Sequence, residues 1–250
     1  MICEPEGKCW CTELPHIAPV PGSEACLCRA CLIKRLAPNL NLWKRRLGQA
    51  PDWVWECPGI ETLVLADNDL SEVSDRIGCL KKLRMLDLGH NKLADVPDSL
   101  GNLASLTDFL YLHDNQLTSL PRSLARLSRL RYLNISGNRF EALPECVCAM
   151  AGLVELRASD NQLTSLPDSI GRLLRLRELH LRNNQLAALP EAIGSLGELR
   201  QIDLRGNPLK SLPASLARLP RLEKLDLRWV DISPCEWFGA LEARGCLVYR

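Results

Sequence analysis

The amino-acid sequence predicts an α/β solenoid, a single body in which short coils of chain stack along one axis. Three observations support this prediction: a motif that returns at nearly constant spacing, leucines at fixed positions of the motif, and an asparagine near its centre. The stretch from Leu176 to Pro190, LRELHLRNNQLAALP, shows the motif most clearly. A period of this size is typical of repeat proteins, because each unit buries its apolar face only against its neighbours.

The asparagines mark the period of the motif. Successive asparagines are 23 residues apart, except for one step of 24 residues. An asparagine amide both donates and accepts hydrogen bonds, so it can satisfy backbone groups that are buried where the chain turns after a strand. We therefore expect a structural asparagine ladder along the solenoid, with no catalytic role. Its members are Asn68, Asn91, Asn115, Asn138, Asn161, Asn184 and Asn207.

The leucines of each unit predict its local structure. Leucines alternate with outward-facing residues over a three-residue strand, and these strands should align in parallel along the concave side. A proline then fixes φ at the start of a return segment on the convex side, where a short helix or 3-10 turn presents apolar residues inward, as at Ile170, Leu173 and Leu176. The corresponding pairs are Val96-Pro97, Leu120-Pro121, Leu143-Pro144, Leu166-Pro167, Leu189-Pro190 and Leu212-Pro213, with Val73-Ser74 in the first regular unit.

Both ends of the repeat array depart from the motif, as expected of capping units. At the start, Trp43, Trp53 and Trp55 should cover the open end of the leucine stack. At the far end, we expect a short helix over Glu236 to Ala243 with Trp237 and Phe238 as cap residues, Gly245 as its stop, and a last strand from Cys246 to Tyr249. The predicted divisions are a cysteine-rich module at 1–35 and a solenoid at 36–250, comprising an N-terminal cap at 36–60, regular repeats at 61–229 and a C-terminal cap at 230–250.

One unit carries an extra residue just before its strand. Three residues, Thr107, Asp108 and Phe109, separate Leu106 from Leu110, where the other units have two. The extra residue would form a bulge that re-aims nearby side chains. The alternative is that the extra residue is an insertion in a loop, where it is tolerated without effect on nearby side chains.

The regular units follow the template LxxLxLxxNxLxxLPxxLxxL, which resembles the leucine-rich repeat superfamily over about five-sixths of the chain. The repeat is similar to the 23-residue type with the Leu-Pro motif, as found in bacterial proteins. The resemblance implies a curved solenoid with a parallel concave sheet. It also implies a scaffold for binding other proteins.

A cysteine-rich segment precedes the solenoid. Thiolates at the CxC and CxxC spacings seen here can converge on one tetrahedral zinc, and so small a segment needs such a staple to fold. The paired CWC and CLCxxCL blocks also resemble a small bacterial cysteine-rich family named after the CWC motif. Two alternatives remain open: redox chemistry at Cys28 and Cys31, or a module without metal. The expected structural zinc ligands are Cys9, Cys11, Cys28 and Cys31, with Cys3 and Cys26 as substitutes.

The remaining cysteines are scattered through the solenoid. Most of them stand at leucine-equivalent or otherwise buried positions, where cysteine behaves as a small apolar side chain. They are Cys57, Cys79, Cys146, Cys148, Cys235 and Cys246.

The concave face is the predicted binding surface. The residues six, four and two positions before each asparagine should project from the sheet, and in the first half several of them are aromatic. Exposed aromatic residues on a rigid scaffold often anchor interfaces, although random decoration of an exposed sheet is the alternative. The second half should be a charge lattice paired across adjacent strands, and the histidines, on different coils, do not suggest a metal site. The candidate partner-binding residues are Met85, Phe109, Tyr111, His113, Tyr132, Arg157, His180 and Arg182.

Composition excludes several classes of function. The chain has 31 basic and 30 acidic residues, so no net field attracts it to nucleic acid or anionic lipid, and its arginine-rich convex stretches lack interleaved aromatic residues. No apolar run approaches the ~20 residues of a membrane span. The first residues lack the basic and apolar regions of a secretory signal, which favours a cytoplasmic protein, with export by a route that needs no such signal left open.

The sequence therefore predicts a non-enzymatic, monomeric protein that binds a protein partner on its concave face. Phosphate-binding glycine loops, HExxH and GxSxG motifs are absent from the sequence. Two alternatives remain: a bacterial effector that binds a host protein, and a regulatory subunit of an enzyme.

The cysteine module leads to a first testable prediction. Protein purified without chelator should contain about one zinc ion per chain held by thiolates. The Cys28→Ser, Cys31→Ser double variant should lose that zinc, as measured by elemental analysis. Wild-type protein with no zinc would contradict the proposed staple.

Overall fold

The computed structural model of the protein describes residues 38–250. The predicted zinc ligands Cys9, Cys11, Cys28 and Cys31, and their substitutes Cys3 and Cys26, lie outside the described residues. The described part contains ten strands, seven 3-10 helices and two short α-helices. Neither α-helix is long and apolar enough to cross a membrane.

The strands form one parallel sheet in strict chain order. Each strand has three residues, and in β2 to β9 the central residue is buried. This pattern follows from the alternation of side chains across a strand. The strands are β1 Asn39–Asn41, β2 Thr62–Val64, β3 Met85–Asp87, β4 Phe109–Tyr111, β5 Tyr132–Asn134, β6 Glu155–Arg157, β7 Glu178–His180, β8 Gln201–Asp203, β9 Lys224–Asp226 and β10 Leu247–Tyr249.

Return segments connect the strands on the opposite side of each coil. Most begin after a proline in extended conformation, such as Pro190 at φ −71° and ψ 148°. In the first regular unit Ser74 takes this place, and its hydroxyl accepts a hydrogen bond from the Arg76 amide. The 3-10 helices span Asp52–Glu56, Asp75–Cys79, Asp98–Asn102, Arg122–Arg126, Asp168–Arg172, Glu191–Ser195 and Ala214–Arg218, and the α-helices are α1 Glu145–Cys148 and α2 Phe238–Ala243.

The extra residue is absorbed immediately before β4. In a regular coil two successive amides donate to one carbonyl, as those of Arg84 and Met85 do to Glu61 at 2.7 and 3.1 Å. At the insertion, the Asp108 amide donates to the Arg84 carbonyl at 3.0 Å. The sheet register resumes at once, with Phe109 opposite Met85. The strand is therefore regular, and the ladder is disturbed only ahead of it.

The asparagine ladder holds each coil to its neighbour. Asn184 is buried, and its amide nitrogen lies 2.9 Å from the carbonyls of Ala158 in the preceding coil and Leu181 in its own coil. Its side-chain oxygen accepts from the Leu163 amide at 3.0 Å. The other six asparagines are also buried and bond to backbone groups in the same way.

The capping residues differ in part from the sequence prediction. Trp53 and Trp55 are buried, but Trp43 is 56% exposed, so its assignment to the cap was wrong. Strand β1 ends at Asn41, and Trp43 lies in the turn that follows, where its side chain is left outside the leucine stack. At the far end Phe238 is buried with Trp237 packed against the core.

The C-terminal elements are shorter than predicted. Helix α2 begins at Phe238 and not at Glu236, and β10 begins at Leu247 and not at Cys246. Gly245 lies between them at φ +88°, a conformation that glycine adopts without a steric penalty.

The six described cysteines are free thiols. Four of them, Cys57, Cys146, Cys148 and Cys246, are buried as small apolar residues. Most of them are therefore buried, as predicted. Cys79 is exposed, because the next residue, Leu80, takes the inward position.

The ladder leads to a prediction about stability. Replacing Asn184 by alanine removes its hydrogen bonds to the carbonyls of Ala158 and Leu181 and leaves the Leu163 amide without its acceptor. Asn184→Ala should therefore lower the free energy of unfolding by about 1–3 kcal/mol. The measurement is urea-induced unfolding followed by circular dichroism.

Asn102 provides the matched control, since it is exposed at the end of a 3-10 helix. Asn102→Ala should change the free energy of unfolding by less than about 0.5 kcal/mol. Equal effects of the two substitutions would contradict the structural role assigned to the ladder.

Candidate functional site on the concave sheet

The outer residues of each strand form the concave face. The first and third residues of β2 to β9 are mostly half-buried, and they alternate with the buried central residue. Three positions that the sequence placed on this face are buried instead: Ala66, Gly89 and Asp226. The ring of His113 lies against Gly89, and Arg205, Lys224 and Arg228 surround Asp226.

An aromatic cluster, formed by Phe109, Tyr111 and Tyr132, lies at the centre of this face. Ring centroids of Phe109 and Tyr132, which are opposite each other in the register, are 5.5 Å apart. Tyr111 lies 5.9 Å from Phe109 and 5.0 Å from Tyr132. Such separations are those of favourable aromatic pairs. Three of the predicted site residues therefore form one continuous apolar surface.

The cluster is both accessible and uncharged at neutral pH. Phe109 is 42% exposed, which is unusual for a large apolar side chain in this protein. Burial raises the pKa of Tyr132 to about 12 and also raises the pKa of Tyr111. Met85 lies opposite Phe109 on the neighbouring strand and extends the apolar surface.

Charged side chains lie beside the cluster, towards the C-terminal coils. Arg157 Nε lies 2.5 Å from Glu155 Oε1, and His180 Nε2 lies 3.2 Å from Glu178 Oε2. Arg182 pairs with Asp160 at 3.2 Å. Most of these pairs are partly exposed, so each contributes little to stability.

The charge lattice pairs partly across adjacent coils, as predicted, for example at Arg182 with Asp160. Several of its pairs join residues two positions apart in the same coil, such as Arg205 with Asp203 and Arg228 with Asp226. Burial acts to raise the pKa of Asp226, but hydrogen bonds from Arg228 and its positive charge outweigh burial and hold the pKa below its ordinary value. Arg205 Nε also lies 3.6 Å from Asp226 Oδ2, which belongs to the next coil.

Two cavities on the concave face are lined by most of the predicted site residues. One, of about 470 Å³, is lined by His113, Arg157, His180 and Arg182 among others. The second, of about 410 Å³, is lined by Phe109 and Tyr132 with Glu155. Met85 and Tyr111 line neither cavity but lie on the same sheet face. The eight predicted residues thus occupy one surface.

Three residues at the rim of this surface received no functional role from the sequence. Trp229 is 73% exposed, and the guanidinium groups of Arg205 and Arg228 each lie 5.9 Å from its ring. His90 and Asp114 lie close to His113. All three precede a ladder position or its equivalent, so the position just before the asparagine was the available signal.

The histidines are also closer together than the sequence interpretation held. The ring centroids of His90 and His113 are 4.8 Å apart in an edge-to-face arrangement. Stacking of the coils brings residues 23 or 24 positions apart into contact, so the spacing along the sequence alone did not reveal this pair.

The aromatic cluster leads to a prediction about pH. Since the folded state raises the pKa of Tyr132, it favours the neutral phenol over the phenolate. The resulting stability is fully present below pH 10 and is lost as the pH rises to about 12. Phenolate absorbance should show a tyrosine that ionises near pH 12 in the wild type and is missing in Tyr132→Phe. Ionisation of Tyr132 at pH 10 would contradict the raised pKa and the burial of its phenol group.

Comparisons with known proteins agree with this fold. Family profiles described as leucine-rich repeat match residues 58–110, 129–150 and 152–173, and one described as leucine-rich repeat region matches 164–243. The solved plant peptide hormone receptor RGFR1, in complex with RGF2, is 31% identical with a TM-score of 0.67, over 79% of this chain and 32% of that one.

Two relatives illustrate the range of proteins with similar repeats. The human volume-regulated anion channel subunit LRRC8A is 34% identical over 104 residues, which are 40% of this chain and 13% of the channel subunit. The chain thus matches only a small part of that protein. Pig (Sus scrofa) fibromodulin is 33% identical over 107 residues, which are 41% of this chain and 69% of fibromodulin. The motif, the ten-stranded parallel sheet and these matches show that the chain belongs to the leucine-rich repeat family.

Proposed function

We propose that this protein is a non-enzymatic scaffold that binds an extended segment of a partner protein along its concave face. The observation that carries the proposal is the aromatic cluster, which is exposed on a rigid sheet and continues into a charged groove. An apolar side chain of the partner would pack on Phe109, Tyr111 and Tyr132. Polar groups of the partner would then reach Arg157 and Arg182.

The physical argument rests on preorganisation. The ring-to-ring contacts and the sheet register hold the cluster in place before binding, so little conformational entropy is lost on association. Aromatic and arginine residues contribute most to interface energy, and both types meet on this face. Arg157 and Arg182 are already paired with Glu155 and Asp160. An acidic group of the partner would therefore replace these carboxylates as the ion-pair partner of the arginines.

The relatives support a binding role and do not indicate an enzyme. The similar plant receptor was solved with its peptide RGF2 bound. In the described part of the chain no catalytic constellation accompanies the groove.

The proposal predicts which substitutions abolish binding. Affinity capture from the native cell followed by mass spectrometry should recover a partner with the wild type. The folded Phe109→Ala, Tyr111→Ala, Tyr132→Ala variant should retain at least about tenfold less of it, because each ring is expected to contribute more than about 1 kcal/mol.

Leu174 supplies a matched control, since it is a large apolar residue that is 59% exposed and follows a 3-10 helix on the convex side. Leu174→Ala should recover the same partner in the same amount as the wild type. Equal recovery with the triple variant would exclude the concave cluster as the binding surface.

A further inference from the structure

Three potential metal ligands from two adjacent coils converge at the edge of the concave face. They are His90, which follows β3, and His113 and Asp114, which follow β4. One ring nitrogen of each histidine and one carboxylate oxygen lie within 4.8 Å of one another. His90 Nδ1 is 3.3 Å from Asp114 Oδ2. None of these residues is assigned a role in the asparagine ladder or in the aromatic cluster.

The register explains why these side chains meet. The step between this pair of coils is 24 residues, and the additional residue is absorbed before β4. Asp114 therefore lies beside His90, and His113 lies beside Gly89. The backbone amide of His90 donates to the His113 carbonyl at 2.9 Å, which holds the two coils together at this point.

The backbone also prepares the position of each ligand. A side chain at Gly89 would overlap the imidazole of His113, so glycine is required for that ring to lie where it does. His90 and Asp114 have left-handed backbone conformations, with φ of 51° and 52°. The Asp114 amide donates to the Ser136 carbonyl at 2.8 Å. These constraints aim the side chains at one point without requiring an ion.

The chemistry of the three ligands suits zinc. Zinc sites that retain an open position use three protein ligands drawn from histidine and carboxylate, at about 2.0–2.2 Å from the metal. Two such ligands at a tetrahedral angle are ~3.3–3.4 Å apart. The separation of His90 Nδ1 and Asp114 Oδ2 is 3.3 Å.

His113 is available as a ligand. Its Nδ1 is buried and has no hydrogen-bond partner within the described residues. No lysine or arginine of the described chain pairs with Asp114, whose one ion-pair partner there is His90.

A second group on the same face fits a metal less well. Glu155, Glu178 and His180 also lie within 4.8 Å of one another. This group offers one imidazole, and Arg157 already occupies Glu155 at 2.5 Å. A cation at this group would either displace Arg157 from Glu155 or be repelled by the positive charge of Arg157.

We propose that His90, His113 and Asp114 bind a zinc ion at the edge of the concave face. His113 and Asp114 also line the groove of about 470 Å³, which leaves room for a fourth ligand position beside them. A carboxylate, thiolate or imidazole of a bound partner would fill that position. The site is distinct from the predicted cysteine module, because it uses nitrogen and oxygen ligands of the solenoid.

Titration of the full chain with zinc chloride alone tests the proposal. The wild type should bind about one more zinc ion than His113→Ala, as measured by calorimetry. Both chains carry the same cysteines, so their difference cancels any zinc bound by thiolates. In nitrogen-15 spectra of the wild type, zinc should shift the imidazole resonances of His90 and His113. Equal zinc stoichiometry in the two chains would overturn the proposal.

A second variant guards against misfolding of the first. Asparagine tolerates a left-handed backbone, so Asp114→Asn preserves the local conformation and removes only the charge. It should bind zinc at this site at least about tenfold more weakly than the wild type. An unchanged affinity in the folded Asp114→Asn chain would likewise count against the site.

His180→Ala is the matched control, since it removes an imidazole from the second group on the same face. Zinc should still shift the resonances of His90 and His113 in this variant. If zinc shifts the imidazole resonances of His180 in the wild type and leaves those of His90 and His113 unchanged, the proposed site is excluded. This experiment needs no partner, so its result is independent of the proposed binding function.

Discussion

The buried asparagine amide is the interaction on which the rest of this structure depends. A strand of three residues is too short to stand alone, and the sharp turn after it buries carbonyls that water cannot reach. The amide of each ladder residue, such as Asn184, bonds to carbonyls of its own coil and of the preceding one, while its oxygen accepts an amide of the preceding coil. These bonds align the coils so that leucines such as Leu179 lose all exposure to solvent. The concave face is a consequence of this alignment.

Alignment of the coils also creates the candidate site. Residues one period apart in the sequence become neighbours about 5 Å apart across the sheet, which is the ordinary spacing of hydrogen-bonded strands. Tyr132 thus lies beside Phe109 although 23 residues separate them. A repeat protein can build a surface from single substitutions in successive units, because the scaffold positions each outward residue without any change to the core. The aromatic cluster, the charged groove and the proposed zinc ligands are all of this kind.

The extra residue before β4 shows how a small change in the sequence selects neighbours. With the ordinary offset of 23 residues, His90 would lie opposite His113. Absorption before the strand sets Asp114 beside His90 and leaves His113 over Gly89. The hydrogen bonds from Asp108 to Arg84 and from Arg131 to Thr107 carry the adjustment. Local backbone bonding therefore decides which side chains can share a ligand.

The period and the leucine pattern by themselves determined the parallel sheet, the return segments, the buried asparagines and the residues of the concave face. Periodicity can do this because each coil repeats the same burial pattern, so the position within the motif specifies the environment. Only the tertiary structure decided the exposure of Trp43, the burial of Asp226 among arginines and the convergence of His90, His113 and Asp114. These features depend on where the extra residue is absorbed, on side-chain packing between coils and on the irregular end units. No repeating pattern encodes them, because each occurs once.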